Sequence, residues 1–167
     1  MSRRRTLYLV RHAIAEERGP RWPDDRLRPL TADGAARMRR VVRGLDRLAD
    51  PIELILTSPL TRAVQTAEIL GRGLAARPGV IRAEALAPGT PPARVARALA
   101  AYAKPTAVAL VGHEPDLGEL AAWLIGAATP LAFRKGGVCR IETADWPPDR
   151  NGRLIWFATP KMLRRVK

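Results

Sequence analysis

The chain has 167 residues, 47% apolar and 27% charged, ordinary for a soluble globular protein and enough to bury a core without metal or disulfide staples. Its one cysteine, Cys139, rules out an internal disulfide and suits a reducing compartment; with only two histidines, dense soft-metal coordination has no basis. The net charge of +13, from 29 basic and 16 acidic residues, admits an anionic substrate or a nucleic-acid partner.

In chain order, the opening MSRRRTLYLV sets basic residues before apolar ones. The apolar run, residues 6–10, is too short for a secretion signal and reads as a strand. A polar, Pro-rich loop follows at 17–29. LTADGAARMRRVVRGLDRL then carries Leu30, Ala35, Met38, Val41, Val42, Leu45 and Leu48 at helical spacing, with Thr31 as N-cap and Asp33 in the first turn. IELILTS reads as the second strand. SPLTRAVQTAEILGRGL reads as a helix with Ser58 as cap and Pro59 at its first position.

GVIRAEAL reads as a short strand and PPARVARALAAYA as a helix. TAVALVG is apolar throughout, as a central parallel strand should be. DLGELAAWLIG reads as a helix capped by Asp116, with Trp123 on its apolar face. GGVCRIET and RLIWFAT read as the last strands. Strands alternating with helices predict an α/β fold with a mainly parallel sheet covered on both faces. A single domain is expected over 1–167, its core at about 6–160 with basic tails. No stretch approaches the ~18 apolar residues of a membrane span, so a cytoplasmic protein with no membrane partner is expected.

In such sheets ligands bind beyond the carboxyl ends of the strands. Three junctions fall there: VRH at 10–12, TSPLTR at 57–62 and VGHEPD at 111–116. If those strands are neighbours, Arg11, His12, Arg62 and His113 meet and form a site for a compact anion, because guanidinium groups match phosphate geometry in bidentate fashion. Backbone N–H groups at the Ser58–Pro59 helix start would aim the same way. A Gly-rich phosphate loop is absent, as is the arginine a cysteine phosphatase needs six residues after its thiol, since Asp145 stands there. What remains is histidine as the nucleophile toward phosphorus.

LVRHA, LTSPLTRAVQTAEIL and LVGHEPDL together resemble the histidine phosphatase superfamily, with its phosphoglycerate mutase-like fold. The RHA variant, RPLTADG and FRKGGVCRIE resemble its SixA-type phosphohistidine phosphatase branch, and the likeness spans about 7–162. The resemblance implies a three-layer α/β/α fold and a metal-independent phosphatase without a cofactor. His12 would take the phosphoryl group, Arg11 and Arg62 would clamp its oxygens, and His113 would donate to it. Ser58 is first a helix cap and only secondarily a phosphate contact. A backbone carbonyl near the second strand-end loop should hold Nδ1–H of His12. Ala13 stands where glycine is commoner, a small change because alanine is restricted only at positive φ.

Many members draw a general acid from the segment between the second and third motifs. Here that candidate is Glu84, with Glu16 and Glu114 behind it. A phosphohistidine substrate needs such an acid less than a phosphate ester, because its leaving imidazole is far less basic than an alkoxide. The expected partner is a phosphorylated protein or a small phosphorylated molecule. Arg134 and Lys135 read as a solvated loop that could extend the electrostatic entry. Oligomeric state stays open, a monomer being the simplest expectation. Two alternatives stand beside this: a broader phosphomonoesterase of the same fold, and a basic, non-catalytic polyanion binder on a retired scaffold. The spread of basic residues and the lack of a stacking pattern make nucleic acid an unexpected partner.

Overall fold

A computed structural model describes residues 4–167. Its sheet has six strands: β1 (Arg5–Arg11), β2 (Leu54–Thr57), β3 (Gly79–Arg82), β4 (Ala107–Gly112), β5 (Val138–Thr143) and β6 (Arg153–Ala158), in the order β3-β2-β4-β1-β5-β6. The first four run parallel, and β5 and β6 add as antiparallel strands on the β1 side. The sheet is therefore mainly parallel, as predicted. β4, its central strand, is buried at all six positions.

Five helices accompany the sheet: α1 (Ala32–Leu48), α2 (Thr61–Gly73), α3 (Pro92–Ala98), α4 (Asp116–Ile125) and α5 (Pro160–Leu163). Strand alternation divides the core in two. Tyr8 and Val10 of β1 face one apolar layer with Met38, Val42 and Leu45 of α1 and Leu70 of α2. Leu7 and Leu9 face the other, with Leu117, Leu120 and Leu124 of α4. The result is the three-layer α/β/α arrangement. Trp123 is half-buried against the second layer rather than inside it.

Thr31 caps α1 as its sequence position suggests, its hydroxyl accepting the Gly34 N–H at 2.9 Å. Two other caps differ from expectation. α2 begins at Thr61, not at Ser58, and its N-cap Leu60 makes no side-chain bond. Asp116 is the first residue of α4 rather than its cap, and its carboxylate accepts the Gly89 N–H at 2.8 Å. Asp116 thereby satisfies a tertiary partner instead of its own helix end. Among the described residues, no helix is long and apolar enough to cross a membrane.

Candidate active site

Sheet register brings the two histidines together. Arg11 of β1 pairs with Gly112 of β4, and Thr57 of β2 pairs with Val111. The next residue of each strand, His12, His113 and Ser58, therefore leaves the sheet in one row at its carboxyl edge. The ladder continues one step further: His12 N–H donates to Gly112 O at 3.0 Å and Ser58 N–H to Val111 O at 2.9 Å. The two imidazole centroids lie 5.2 Å apart. With the side chains of Arg11 and Arg62 they line a pocket of about 400 Å³.

The loop after β1 is held from both sides. Gly136 N–H donates to the carbonyls of Arg11 and His12 at 3.1 Å each. Ala13 N–H donates to Thr66 Oγ1 at 3.0 Å, and that hydroxyl donates to the Arg62 carbonyl at 2.8 Å. Thr66 thus ties the His12 loop to the helix that carries Arg62. His12 Nδ1 lies 2.7 Å from the Ala13 carbonyl. A carbonyl can only accept, so Nδ1 carries the proton and Nε2 keeps its lone pair. The tautomer is the expected one, but the carbonyl is that of the adjacent residue, not one from the β2 loop, because the chain turns immediately after β1.

His12 is 6% exposed and His113 5%. Burial is the main cause that lowers both, His12 to about 4 and His113 to about 3. The Ala13 bond raises His12 somewhat, while Arg62, Arg11 and Lys135 lower it further. His113 is also lowered by His12 and Arg62 and raised by Asp25. Both rings are neutral near pH 7. His113 Nε2 meets Ser58 Oγ at 2.7 Å, and the same hydroxyl oxygen accepts the Leu60 N–H at 3.3 Å. Ser58, expected as a helix cap, is instead fully buried as the partner of His113.

Arg11 donates to the Phe133 carbonyl at 2.7 Å. Arg62 is 3% exposed and is gripped by Asp25, whose carbonyl accepts from Nη1 at 2.8 Å and whose Oδ2 accepts from Nη2 at 3.0 Å. Asp25 also accepts from Arg28 Nε at 2.8 Å, the main cause holding its carboxyl below the usual range. Three buried nitrogens of the site, Arg11 Nε, Arg62 Nε and His113 Nδ1, find no hydrogen-bond partner among the described residues. Buried polar nitrogens left this way cost roughly 1–3 kcal/mol each unless a ligand or water satisfies them. All three belong to residues that line the one pocket.

Glu84 lies outside this cluster. β3 ends at Arg82, and the chain then makes a 3₁₀ turn, Glu84–Leu86, that buries Leu86 and leaves Glu84 exposed. The carboxylates that do line the pocket are Glu16, Glu17 and Glu114. Burial raises the Glu114 carboxyl, yet its Oε1 already accepts the Gly118 N–H at 2.8 Å. Arg134 and Lys135 are both exposed, as a solvated loop would be; Lys135 also lines the pocket, and Arg134 does not. Asp25, Arg28 and Arg18 were not singled out by the sequence, and only the run RPL, residues 28–30, after a polar loop marks the segment that brings them in. Cys139 is fully buried in β5 with its thiol pushed up to about 12, a poor nucleophile. Among the described residues, no three His, Cys, Asp or Glu side chains group so as to hold a metal ion.

A sheet of this order with this site at its carboxyl edge defines a class, and residues 7–87 match the Histidine phosphatase superfamily (branch 1). The chain belongs to that superfamily, on its SixA-like side, and phosphatase is the activity its relatives support. It is 38% identical over 164 residues to an uncharacterised protein of Picosynechococcus sp. (strain ATCC 27264 / PCC 7002 / PR-6), covering 94% of this chain and 98% of that one. It is 28% identical over 167 residues to the phosphohistidine phosphatase SixA of Escherichia coli (strain K12), covering 96% and 98%. A solved structure of the protein histidine phosphatase SixA complexed with tungstate superposes with a TM-score of 0.81 at 27% identity, covering 93% of this chain and 97% of the other.

Proposed function

We propose that the chain is a phosphohistidine phosphatase that works through a phosphoenzyme on His12. The observation that carries this is a neutral, oriented imidazole, Nδ1–H on Ala13 O at 2.7 Å, set beside His113, the buried Arg62 and the half-buried Arg11. Arg11 and Arg62 hold the phosphoryl oxygens. The His12 Nε2 lone pair forms a new P–N bond as the substrate P–N bond breaks. A leaving imidazole already protonated at its other nitrogen departs neutral, so the step needs no side-chain acid. Water then attacks phosphorus, the pair of the His12 Nε2–P bond returns to Nε2, and inorganic phosphate leaves while the released proton passes to solvent.

His113 donates a hydrogen bond or positive charge to the entering dianion, whose negative charge favours the protonated form of the ring. It stabilises charge that grows on the oxygens during transfer. The SixA protein solved with tungstate supports the reading, since tungstate is a tetrahedral oxyanion of the same shape class. Glu84 stands outside the pocket and supplies no acid to it. The pocket carboxylates Glu16, Glu17 and Glu114 are what would serve a phosphomonoester instead.

A substrate panel decides between the two. Phosphohistidine, nucleotides, polyphosphate and sugar phosphates are compared without added metal, beside His12→Ala. The expected result is the highest kcat/KM on phosphohistidine, no turnover by His12→Ala, and an acid-labile phosphoenzyme on the wild type. A higher kcat/KM on a sugar phosphate would overturn the phosphohistidine assignment.

A further inference from the structure

Behind the loop that follows His12 lies a second cavity, of about 180 Å³. Its floor is apolar, made by Ile14, Met38 and Val41. Its rim carries four cations, Arg37, Lys135, Lys161 and Arg164, and no acidic residue lines it. Arg37 is paired with Asp33 at 2.7 Å. For the side chains of Lys135, Lys161 and Arg164, no hydrogen bond or ion pair occurs among the described residues. Lys135 lines this cavity and the phosphate pocket alike, so the two share a border.

That border is built to stay in place. Gly136, next to Lys135, adopts φ +79, a conformation suited to glycine, and its N–H clasps the Arg11 and His12 carbonyls. On the opposite side, α5 is fastened by Leu163, fully buried, and by Thr159, whose side chain caps the helix at the Met162 N–H. Gly44 of α1 lets α5 approach so closely that a Cβ there would lie 1.8 Å from the Leu163 carbonyl. Lys161 and Arg164 are therefore presented from a fixed element, one exposed and one half-buried.

We infer that this groove is a second anionic subsite that takes an acidic segment of the protein carrying the phosphohistidine. It rests on the function proposed above and names how the substrate is recognised beyond its phosphoryl group. Charge complementarity selects the occupant: three unpaired cations face a lining without a carboxylate. The apolar floor selects further, because a peptide can lay an aliphatic side chain against the half-buried Ile14 between two acidic ones, which a sugar phosphate cannot. The subsite adds encounter rate and ground-state affinity rather than chemistry, so it acts on KM and is sensitive to salt.

The test uses three substrates: phosphoimidazole, a phosphohistidine peptide flanked by Asp, Glu and Leu, and the same peptide with Ser and Ala flanks. The wild type is expected to favour the acidic peptide about tenfold in kcat/KM at low ionic strength, through KM, with the preference shrinking at high salt. Lys161→Glu/Arg164→Glu removes that preference and leaves phosphoimidazole turnover unchanged. Should the double variant lose stability, Lys161→Glu alone, at an exposed position, is expected to remove roughly half of the effect in log units. A wild type without preference, or a double variant that retains it, would overturn the subsite. If the wild type hydrolyses none of the three, the proposed function fails; the groove is then read by fluorescence anisotropy with the unphosphorylated acidic peptide. Binding weakened by the double variant supports the groove, and equal or absent binding refutes it.

Discussion

Asp25 holds Arg62 by both ends of its fork, the backbone carbonyl taking Nη1 at 2.8 Å and the carboxylate taking Nη2 at 3.0 Å. A site arginine is thus aimed by a residue 37 positions earlier, at the start of a short 3₁₀ turn, Asp25–Leu27, in the segment between β1 and α1. Asp25 is a positioning residue, so its loss should act through Arg62. Asp25→Ala is expected to lower kcat/KM about tenfold or more, the scale of one charge-assisted hydrogen bond. Arg62→Ala should lower it further, and the double variant should be no worse than Arg62→Ala alone. Additive losses in that cycle would show that Asp25 works by another route.

Ser58 relates to His113 as Ala13 does to His12. Its hydroxyl lies 2.7 Å from Nε2, which leaves Nδ1 as the buried ring atom without a protein partner. Ser58→Ala should free the ring to rotate and lower kcat by about tenfold, while His113→Ala should cost about a hundredfold or more, the scale seen when a transition-state donor is removed. The two together should match His113→Ala. Steady-state kinetics with phosphoimidazole reads all three, and a Ser58→Ala variant with wild-type kcat would remove the serine from the argument.

The pH dependence of stability has a definite sign. Both histidines titrate lower in the folded protein, to about 4 and about 3, than the ~6.5 of an unfolded chain. Between those values the unfolded state binds more protons, so stability falls as pH drops below about 6.5. The slope approaches ~1.4 kcal/mol per pH unit for each histidine once both unfolded rings are protonated. Urea midpoints measured from pH 7 to pH 5, above the carboxylate range, should decline for the wild type and stay nearly flat for His12→Asn/His113→Asn. Tungstate should offset the decline, because it binds the folded state and favours the protonated rings.

The parts legible in the sequence are those written by short-range periodicity. The apolar runs of β1 and β4 and the helical spacing of α1 fixed the layers, and the strand ends then fixed where His12, Ser58 and His113 must emerge. What escaped depends on long-range pairing. Asp25 and Arg28 sit in a polar loop whose residues follow no period, and nothing local says that they turn inward onto Arg62. Ser58 looked like a cap because a serine before proline fits that role locally; its burial between β2 and β4 gives it a histidine instead. Glu84 failed for a related reason: the turn after β3 buries Leu86, and a three-residue turn can face only one side chain to the core. The basic residues are spread along the chain, so nothing local distinguishes Lys161 from any other surface lysine.

Close packing at Gly34 gives the last expectation. A Cβ there would lie 2.2 Å from the Ile14 carbonyl, a backbone atom two residues past His12. Gly34→Ala gains up to ~1 kcal/mol in helix propensity, but overpacking costs ~1–3 kcal/mol and displaces the loop that orients His12, the proposed nucleophile. Stability and kcat should therefore fall together. Gly44→Ala meets the Leu163 carbonyl instead, at 1.8 Å, and should lower stability while leaving phosphoimidazole turnover intact, since α5 contributes nothing to the phosphate pocket. Thermal midpoints and kcat measured on the two variants separate the cases: a Gly34→Ala protein with full activity would mean that the His12 loop is positioned from the Thr66 and Gly136 sides alone.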